Sequence, residues 1–178
     1  SEVQLDNVSV GADALVGEKD NGLDLVERVS DEAIAALCAE AIGGMKVLLD
    51  TTVEYSKTRK QFGVPIGSFQ VLQHNMVDMF VAYEQSISMT YMVNIKLGED
   101  PVERMKAASS AKVQIGNAGR FVGQTAVQVH GGMGMTDELD VGHYFKRLEM
   151  INTQFGNVDH HLRRFTELSA QDTAAAAE

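Results

Sequence analysis

Proline is nearly absent from this chain, and the places where it occurs separate long stretches with the periodicity of helices. The sequence of 178 residues holds two prolines, Pro65 and Pro101. Between the breaks, apolar residues recur at every third or fourth position, as they do on one face of an α-helix. Long helices joined by short links pack side by side. The sequence therefore predicts an all-α fold, an antiparallel bundle of the four-helix type.

The helix boundaries follow from residues that begin and end helices. Gly98 suits the end of one helix, Asp100 the N-cap of the next, and Pro101 its first helical position. A glycine-rich stretch near residue 131 ends that helix in turn. Helices are predicted over residues 24–58, 69–97, 101–130 and 139–153, and from about residue 157 onward.

The two ends of the chain do not fit the bundle. Val3, Leu5, Val8 and Val10 have the spacing of a strand, but the rest of the sequence offers no sheet for it to join. The alanine-rich end, AQDTAAAAE, is expected to be frayed. We therefore expect three parts: an extended segment over residues 1–22, a helical domain over 23–168 and a disordered tail over 169–178.

Composition limits the classes of function. Hydrophobic residues make up 44% of the chain and charged residues 22%, as in a globular domain, and no window approaches the ~18 apolar residues of a membrane span. The net charge of −10 argues against nucleic acid as a main partner, because phosphate binding needs a basic surface. The single Cys38 excludes an internal disulfide, and no signal peptide opens the sequence, so we expect a cytoplasmic protein.

Two segments at helix ends carry residues that a plain connection does not need. The first, KTRKQFGVPIGSFQ (residues 57–70), holds a basic cluster, and its Gly63 and Pro65 make a rigid turn. The second, QTAVQVHGGMGMTDE (residues 124–138), holds glycines that leave backbone amides bare and allow close approach of a ligand. Each segment alone is typical of a helix end. Together they are candidates for binding a small anionic ligand.

The pair of motifs resembles a known family. R-x-x-F-G-x-x-I-x-x-F-Q followed by Q-x-H-G-G-x-G-x-T-x-E is similar to the acyl-CoA dehydrogenase family. The resemblance implies that residues 1 to about 20 are the last strand and exit of a middle β-domain, and that the remainder is the C-terminal four-helix domain. The family's N-terminal helical domain and most of its β-domain are absent from this sequence, so we expect it to be part of a longer protein or a complex.

The resemblance also implies a cofactor, FAD, which these motifs reach while a neighbouring subunit holds most of it. Arg59 matches the family arginine on the pyrophosphate, where a guanidinium can bind phosphate oxygens bidentately. Phe62 matches the aromatic residue packed beside it. The remaining cofactor-binding positions implied are Gln70, a softer contact in the first motif, and Gln128, Gly131 and Gly132 in the second.

The resemblance does not supply a catalytic base. The family reaction removes a proton next to the thioester carbonyl and passes hydride to the flavin, which needs a carboxylate. The two positions where the family places its glutamate hold Phe155 and Ala33 here. Glu32 and Asp31 are near Ala33, but one helical step turns a side chain by about 100°, so they are weak candidates. The base stays unassigned.

The stretch DELDVGHYFKRLEMINTQFGNVDHHLRRF resembles small subunits of heteromeric acyl-CoA dehydrogenases of the pimeloyl-CoA and steroid side-chain type. It implies an α2β2 assembly with a larger subunit, or a homo-oligomer, with an acyl-CoA substrate and an electron-transfer flavoprotein as electron acceptor. A chain without a base can still complete its partner's FAD site in such an assembly. The alternative from another class is a helical interaction or scaffold module without chemistry.

The histidines are the remaining tempting residues. Metals are bound by residue types such as those at His143, Asp159, His160 and His161, but the family that the sequence resembles has no metal, and we expect none. His130 is expected to be a structural hydrogen-bonding residue between helices, neither acid nor base.

Overall fold

The computed structural model describes residues 2–175, and the side chains of residues 2–171. The predicted all-α bundle is confirmed. The helices are α1 (Leu23–Thr58), α2 (Gln70–Lys96), α3 (Pro101–His130), α4 (Val141–Thr153) and α5 (Val158–Ala175). Two short strands, β1 (Lys60–Gln61) and β2 (Val64–Pro65), form a hairpin between α1 and α2. Short stretches of 3-10 helix lie at Ala12–Ala14, Ile66–Ser68 and Gly131–Met135.

Helix α3 is the centre of the bundle, because it packs against all four other helices. Its small residues allow these close contacts: Ala108, Ala111 and Ala126 are fully buried. At Gly123, a Cβ atom would lie 2.4 Å from Cδ2 of Phe145. The absence of a side chain at position 123 therefore allows α4 to pack closely against α3. The core is therefore formed mainly by α1 and α3, with α2, α4 and α5 around them.

The predicted start of α3 is confirmed in detail. Oδ1 of Asp100 accepts hydrogen bonds from the backbone N–H groups of Val102, at 3.0 Å, and Glu103, at 3.2 Å. Pro101 occupies the first turn, where its missing N–H costs nothing. Such a side-chain cap satisfies N–H groups that have no partner within the helix.

The ends of the chain differ from the predictions. Residues 2–10 are exposed and form no strand, because the described part of the chain offers them no partner strand. At the other end, α5 continues to Ala175, although the disordered tail was predicted from residue 169. Alanine has the highest helix propensity, which extends the helix. Residues 176–178 of the predicted tail lie outside the described residues. Among the described helices, none combines the length and apolar character needed to cross a bilayer.

Candidate functional site

The first motif folds into a tight hairpin. Lys60 pairs with Pro65 and Gln61 with Val64, so the loop consists of Phe62 and Gly63 alone. Both loop residues have positive φ, 55° and 83°, as a type I′ turn requires. This conformation is uncommon for an aromatic residue. The turn holds the Phe62 side chain at the tip of the hairpin, 92% exposed.

The base of the hairpin is fixed against α1 and α2. The N–H of Ile66 donates to the carbonyl oxygen of Arg59 at 2.8 Å, and the Ile66 side chain is buried. Nε2 of Gln73 donates to the carbonyl oxygen of Gly67 at 2.8 Å. The rings of Phe62 and Phe69 meet edge to face with centroids 6.1 Å apart. These contacts therefore hold the base of the hairpin in place, while its tip at Phe62 is exposed.

The second motif spans the end of α3. Gly131 has φ 62° and ψ −140°, a conformation that L side chains rarely adopt. Its N–H donates to the carbonyl oxygens of Val127 and Gln128 and caps α3. The prediction of a bare amide is therefore wrong at Gly131. A Cβ atom at Gly131 or Gly132 would meet no atom within 4 Å, so the backbone surface at both glycines is open to a ligand.

The two motifs, far apart in the sequence, line one groove of about 590 Å³. Five of the six predicted cofactor-binding residues lie in its lining: Arg59, Phe62, Gln128, Gly131 and Gly132. The sixth, Gln70, is the first residue of α2; its side chain is exposed and does not line the groove. The lining also includes residues that the sequence reasoning did not single out for binding, among them Tyr55, Phe69, Leu72, His130 and Met133.

Arg59 supplies the positive charge of the groove. It is the C-cap residue of α1, and its N–H donates to the carbonyl oxygen of Tyr55 at 2.8 Å. Its side chain is exposed and makes no ion pair with any described residue. Nearby Lys57, in contrast, pairs with Glu54. A guanidinium without a carboxylate partner is available for an anionic ligand.

His130 adds a buried polar atom to the groove. Its side chain is 3% exposed, and its ring stacks on Tyr55 with centroids 4.3 Å apart. Nδ1 lies 2.8 Å from the carbonyl oxygen of Ala126, so this nitrogen carries the proton and donates. Nε2 is then an acceptor, and it has no partner among the described residues. The predicted hydrogen bond between helices is therefore not found among the described residues: His130 bonds within α3 and meets α1 through a ring stack. The unpartnered Nε2 was not predicted from the sequence.

These features can be tested against FAD, the cofactor that the resemblance implies. Its pyrophosphate needs a cation, which Arg59 provides. Its hydroxyl and amino groups are donors of the kind that Nε2 of His130 lacks, and its rings match the exposed aromatic edge of Phe62. The open backbone at Gly132 allows close approach. The residues present therefore fit this group.

Phe155 lies at a second, separate cavity. The turn between α4 and α5 places Phe155 at φ 55° and Gly156 at φ 103°. Phe155 lines a cavity of about 580 Å³, which shares no lining residue with the groove. The other lining residues are Val26, Glu27, Ser30, Ile34, His160, His161, Arg163, Arg164 and Glu167.

The weak candidates for a base do not line this cavity. Asp31 is fully buried; its Oδ2 accepts from Nε of Arg104 at 3.1 Å and its Oδ1 from Nη1 of Arg164 at 2.8 Å. Both oxygens of this carboxylate are held by guanidinium groups, which favours a structural role for Asp31. Glu32 is exposed and pairs with Arg28. Ala33 carries no functional group.

The two histidines that line the second cavity, His160 and His161, contact neighbouring protein groups. Nε2 of His161 donates to the carbonyl oxygen of Phe155 at 3.0 Å, and Nδ1 lies 3.4 Å from Oγ of Ser109. Burial, together with the nearby charge of Lys112, lowers the pKa of His161 to about 4. The His160 ring stands edge to face against it. Among residues 2–171, no group of three or more potential ligands could hold a metal ion.

Comparison with known proteins places this geometry in a family. Residues 20–167 match the family model "Acyl-CoA dehydrogenase, C-terminal domain". The chain is 36% identical over 163 residues to acyl-CoA dehydrogenase IpdE2 of Mycolicibacterium smegmatis, an alignment that covers 90% of this chain and 48% of that protein. The chain thus spans about half the length of this curated relative.

Solved structures agree. Butyryl-CoA dehydrogenase from Megasphaera elsdenii superposes with a TM-score of 0.83 at 27% identity, covering 89% of this chain and 41% of that one. The ChsE4–ChsE5 complex from Mycobacterium tuberculosis gives a TM-score of 0.75 at 27% identity, covering 82% and 39%. The chain belongs to the acyl-CoA dehydrogenase family of oxidoreductases and carries its C-terminal helical domain.

Proposed function

We propose that the chain is the FAD-contacting and oligomerising domain of an acyl-CoA dehydrogenase, which introduces an α,β double bond into an acyl-CoA thioester. The family is FAD-dependent. The observation that carries the proposal is the groove, because it combines an unpaired guanidinium at Arg59 with open glycine backbone from a distant segment. A module that only holds helices together has no need of this combination.

Each residue of the groove has a stated role in the proposal. Arg59 binds the pyrophosphate of FAD, and Phe62 packs beside it. Nε2 of His130 accepts a hydrogen bond from a hydroxyl or amino group of the cofactor. Gln128 and the backbone at Gly131 and Gly132 hold the same region, while Gln70 makes at most a peripheral contact. When bound, FAD accepts the hydride that leaves the β carbon of the substrate.

The rest of the active site comes from outside the chain described here. We propose that residues 1–22 are the remnant of a β-domain, that residues 23–168 form the helical domain, and that the flavin is held mainly by another subunit. That subunit is a larger acyl-CoA dehydrogenase chain in an α2β2 assembly, with a homo-oligomer as the alternative. The ChsE4–ChsE5 complex supports the heteromeric form. An electron-transfer flavoprotein would reoxidise the flavin.

The surface of α2 supports association. Several of its large apolar side chains are half or more exposed, and exposed apolar patches mark interaction sites. They are Val71, Val77, Phe80, Tyr91 and Ile95.

The catalytic base is proposed to lie in the partner. Phe155 stands where the family places its glutamate and has no proton to exchange. In the proposal, the cavity beside Phe155 receives the acyl part of a thioester, and this chain completes a site whose base the larger subunit provides.

Co-purification tests the proposal. The chain is co-expressed with a larger acyl-CoA dehydrogenase subunit, and flavin absorbance and acyl-CoA-dependent reduction of an electron acceptor are measured. We expect a flavin-containing complex, and neither flavin nor activity in the chain alone, because a few contacts do not offset the cost of ordering a large ligand. A stable complex without flavin would favour the scaffold alternative.

A further inference from the structure

Lys112 is a fully buried lysine in the middle of α3, with a relative solvent exposure of 0%. Its Nζ donates to three backbone carbonyl oxygens: Asn152 at 3.1 Å, Gln154 at 2.8 Å and Gly156 at 2.8 Å. These carbonyls belong to the end of α4 and to the turn that follows it. All three protons of the ammonium group are thus directed at one short segment.

Placing an ammonium group in the core of the bundle is energetically unfavourable. Burial of a charge costs free energy unless the charge is paired or fully hydrogen-bonded. Within the part of the chain that the structure describes, Lys112 has no carboxylate partner, and burial lowers its pKa to about 8. A methionine would occupy the same volume without this cost. The three carbonyl contacts are what an apolar residue could not provide.

The segment that Lys112 holds has an unfavourable backbone conformation. Phe155 has a φ of 55°, a conformation that is unfavourable for a residue other than glycine and persists only where the surroundings fix it. Gly156, with φ 103°, adopts its conformation without such a cost. His161, on α5, donates to the carbonyl oxygen of Phe155 in the same turn. Lys112 on α3 and His161 on α5 therefore hold the backbone of this turn in place. The turn in turn positions Phe155, whose side chain lines the cavity between α1 and α5.

We propose that Lys112 is a positioning residue: its ammonium group sets the conformation of the 154–156 turn and, through Phe155, the shape of the cavity that receives the acyl part of the substrate. The second half of this statement rests on the proposed function. The first half concerns the turn alone, so the two can be tested separately.

A fluorine label tests the first half. 4-Fluorophenylalanine is placed at position 155 of the full chain, and its ¹⁹F resonance is followed from pH 7 to pH 10. Deprotonation removes one of the three donors of Lys112, so we expect the resonance to shift with a midpoint near pH 8. The titratable groups that face Lys112 are Cys38 on α1, whose pKa is raised to about 12, and His161 on α5, whose pKa is lowered to about 4. Neither has its midpoint within this range.

Variants separate this effect from others. A His160→Gln background removes the titratable ring beside Gly156. In Lys112→Met the pH-dependent shift should vanish, and the resonance at pH 7 should be displaced or broadened while circular dichroism shows a folded protein. Lys46→Met, which removes an exposed lysine of α1, should behave like the parent. A folded Lys112→Met variant whose resonance coincides with that of the parent at pH 7 would overturn the proposal.

The assembled enzyme tests the second half. In the complex with the larger subunit, Lys112→Met should lower kcat/KM for acyl-CoA by about tenfold to a hundredfold, mainly through KM, with FAD content unchanged. A displaced resonance with unchanged KM would restrict Lys112 to a structural role and overturn this half. A parent complex without any dehydrogenase activity would overturn the proposed function, and the fluorine titration would still decide the role of Lys112 in the turn.

Discussion

His130 stacks on Tyr55 with ring centroids 4.3 Å apart and 27° between the ring planes. The contact joins the last residue of α3 to the last turn of α1, so it connects the glycine segment with the helix end that carries Arg59. The two halves of the groove are thereby held at a fixed spacing. This pair therefore links the second motif to the helix end at which the first motif begins.

Removing the ring of Tyr55 should loosen this link. We expect Tyr55→Leu to lower the free energy of unfolding by about 0.5–1.5 kcal/mol beyond the effect of lost area, because an aromatic pair contributes about that much. Tyr55→Phe keeps the ring and should lie close to the parent. Urea denaturation measures both variants, and equal losses in the two would contradict a role for the stack.

Asp31 should prove structural. Asp31→Asn removes the charge between Arg104 and Arg164, whose side chains are only 10% and 20% exposed. Leaving buried charges unpaired costs about 3–5 kcal/mol, so we expect a large loss in urea denaturation. Glu32→Gln, on the exposed neighbour, is the control and should change stability by less than about 1 kcal/mol. An Asp31→Asn variant as stable as the parent would show that the buried cluster is not needed for folding.

His161 should make the fold sensitive to mild acid. Its pKa is about 4 in the folded chain against an ordinary value of 6.5, because burial disfavours the charged ring. Between these values the unfolded chain binds the proton and the folded chain does not, so stability should fall as the pH falls from about 6.5 toward 4. Urea midpoints measured from pH 7.5 to pH 5 should show less decline in His161→Gln than in the parent. His160→Gln is the matched control, and a decline in His161→Gln equal to that of the parent would exclude this cause.

We expect Phe62 to lower the stability of the fold and to contribute to FAD binding. Its positive φ is unfavourable for an aromatic residue, whereas Asn before Gly is the preferred pair in a type I′ turn. We expect Phe62→Asn to raise the free energy of unfolding by about 1 kcal/mol, since a side chain that is 92% exposed loses little burial. The same variant should reduce FAD content in the complex. A destabilised hairpin with unchanged FAD content would contradict both expectations.

Local signals in the sequence were sufficient for the helices and for most of the groove. Apolar periodicity and the Asp100–Pro101 start located α3, and the two motifs identified five residues that line one groove. Other features depend on contacts between distant residues, which periodicity does not contain. The N–H of Gly131 is occupied by the end of its own helix, and Asp31 meets Arg104 and Arg164 only in the folded bundle.

Lys112 is the clearest example of a functional candidate without a sequence signal. It lies in an alanine-rich helix where a lysine would ordinarily be exposed, and the three carbonyl oxygens that bind it are 40 to 44 positions away.

The exposed start of the chain is the opposite case, a sequence signal without the predicted structure. Val3 to Val10 have the spacing of a strand, but a strand forms only where a second strand is present to receive its hydrogen bonds.

The most direct test of the account is the FAD content of the reconstituted complex when Arg59 is changed. Arg59→Ala leaves a phosphate without its charged partner, and a charged hydrogen bond contributes about 1.5–3 kcal/mol, so FAD affinity should fall roughly ten- to a hundredfold while the helical fold is kept. Lys57→Ala is the control, because this neighbouring lysine pairs with Glu54 and does not line the groove. Unchanged FAD content and turnover in Arg59→Ala would contradict the assignment of the groove to the cofactor.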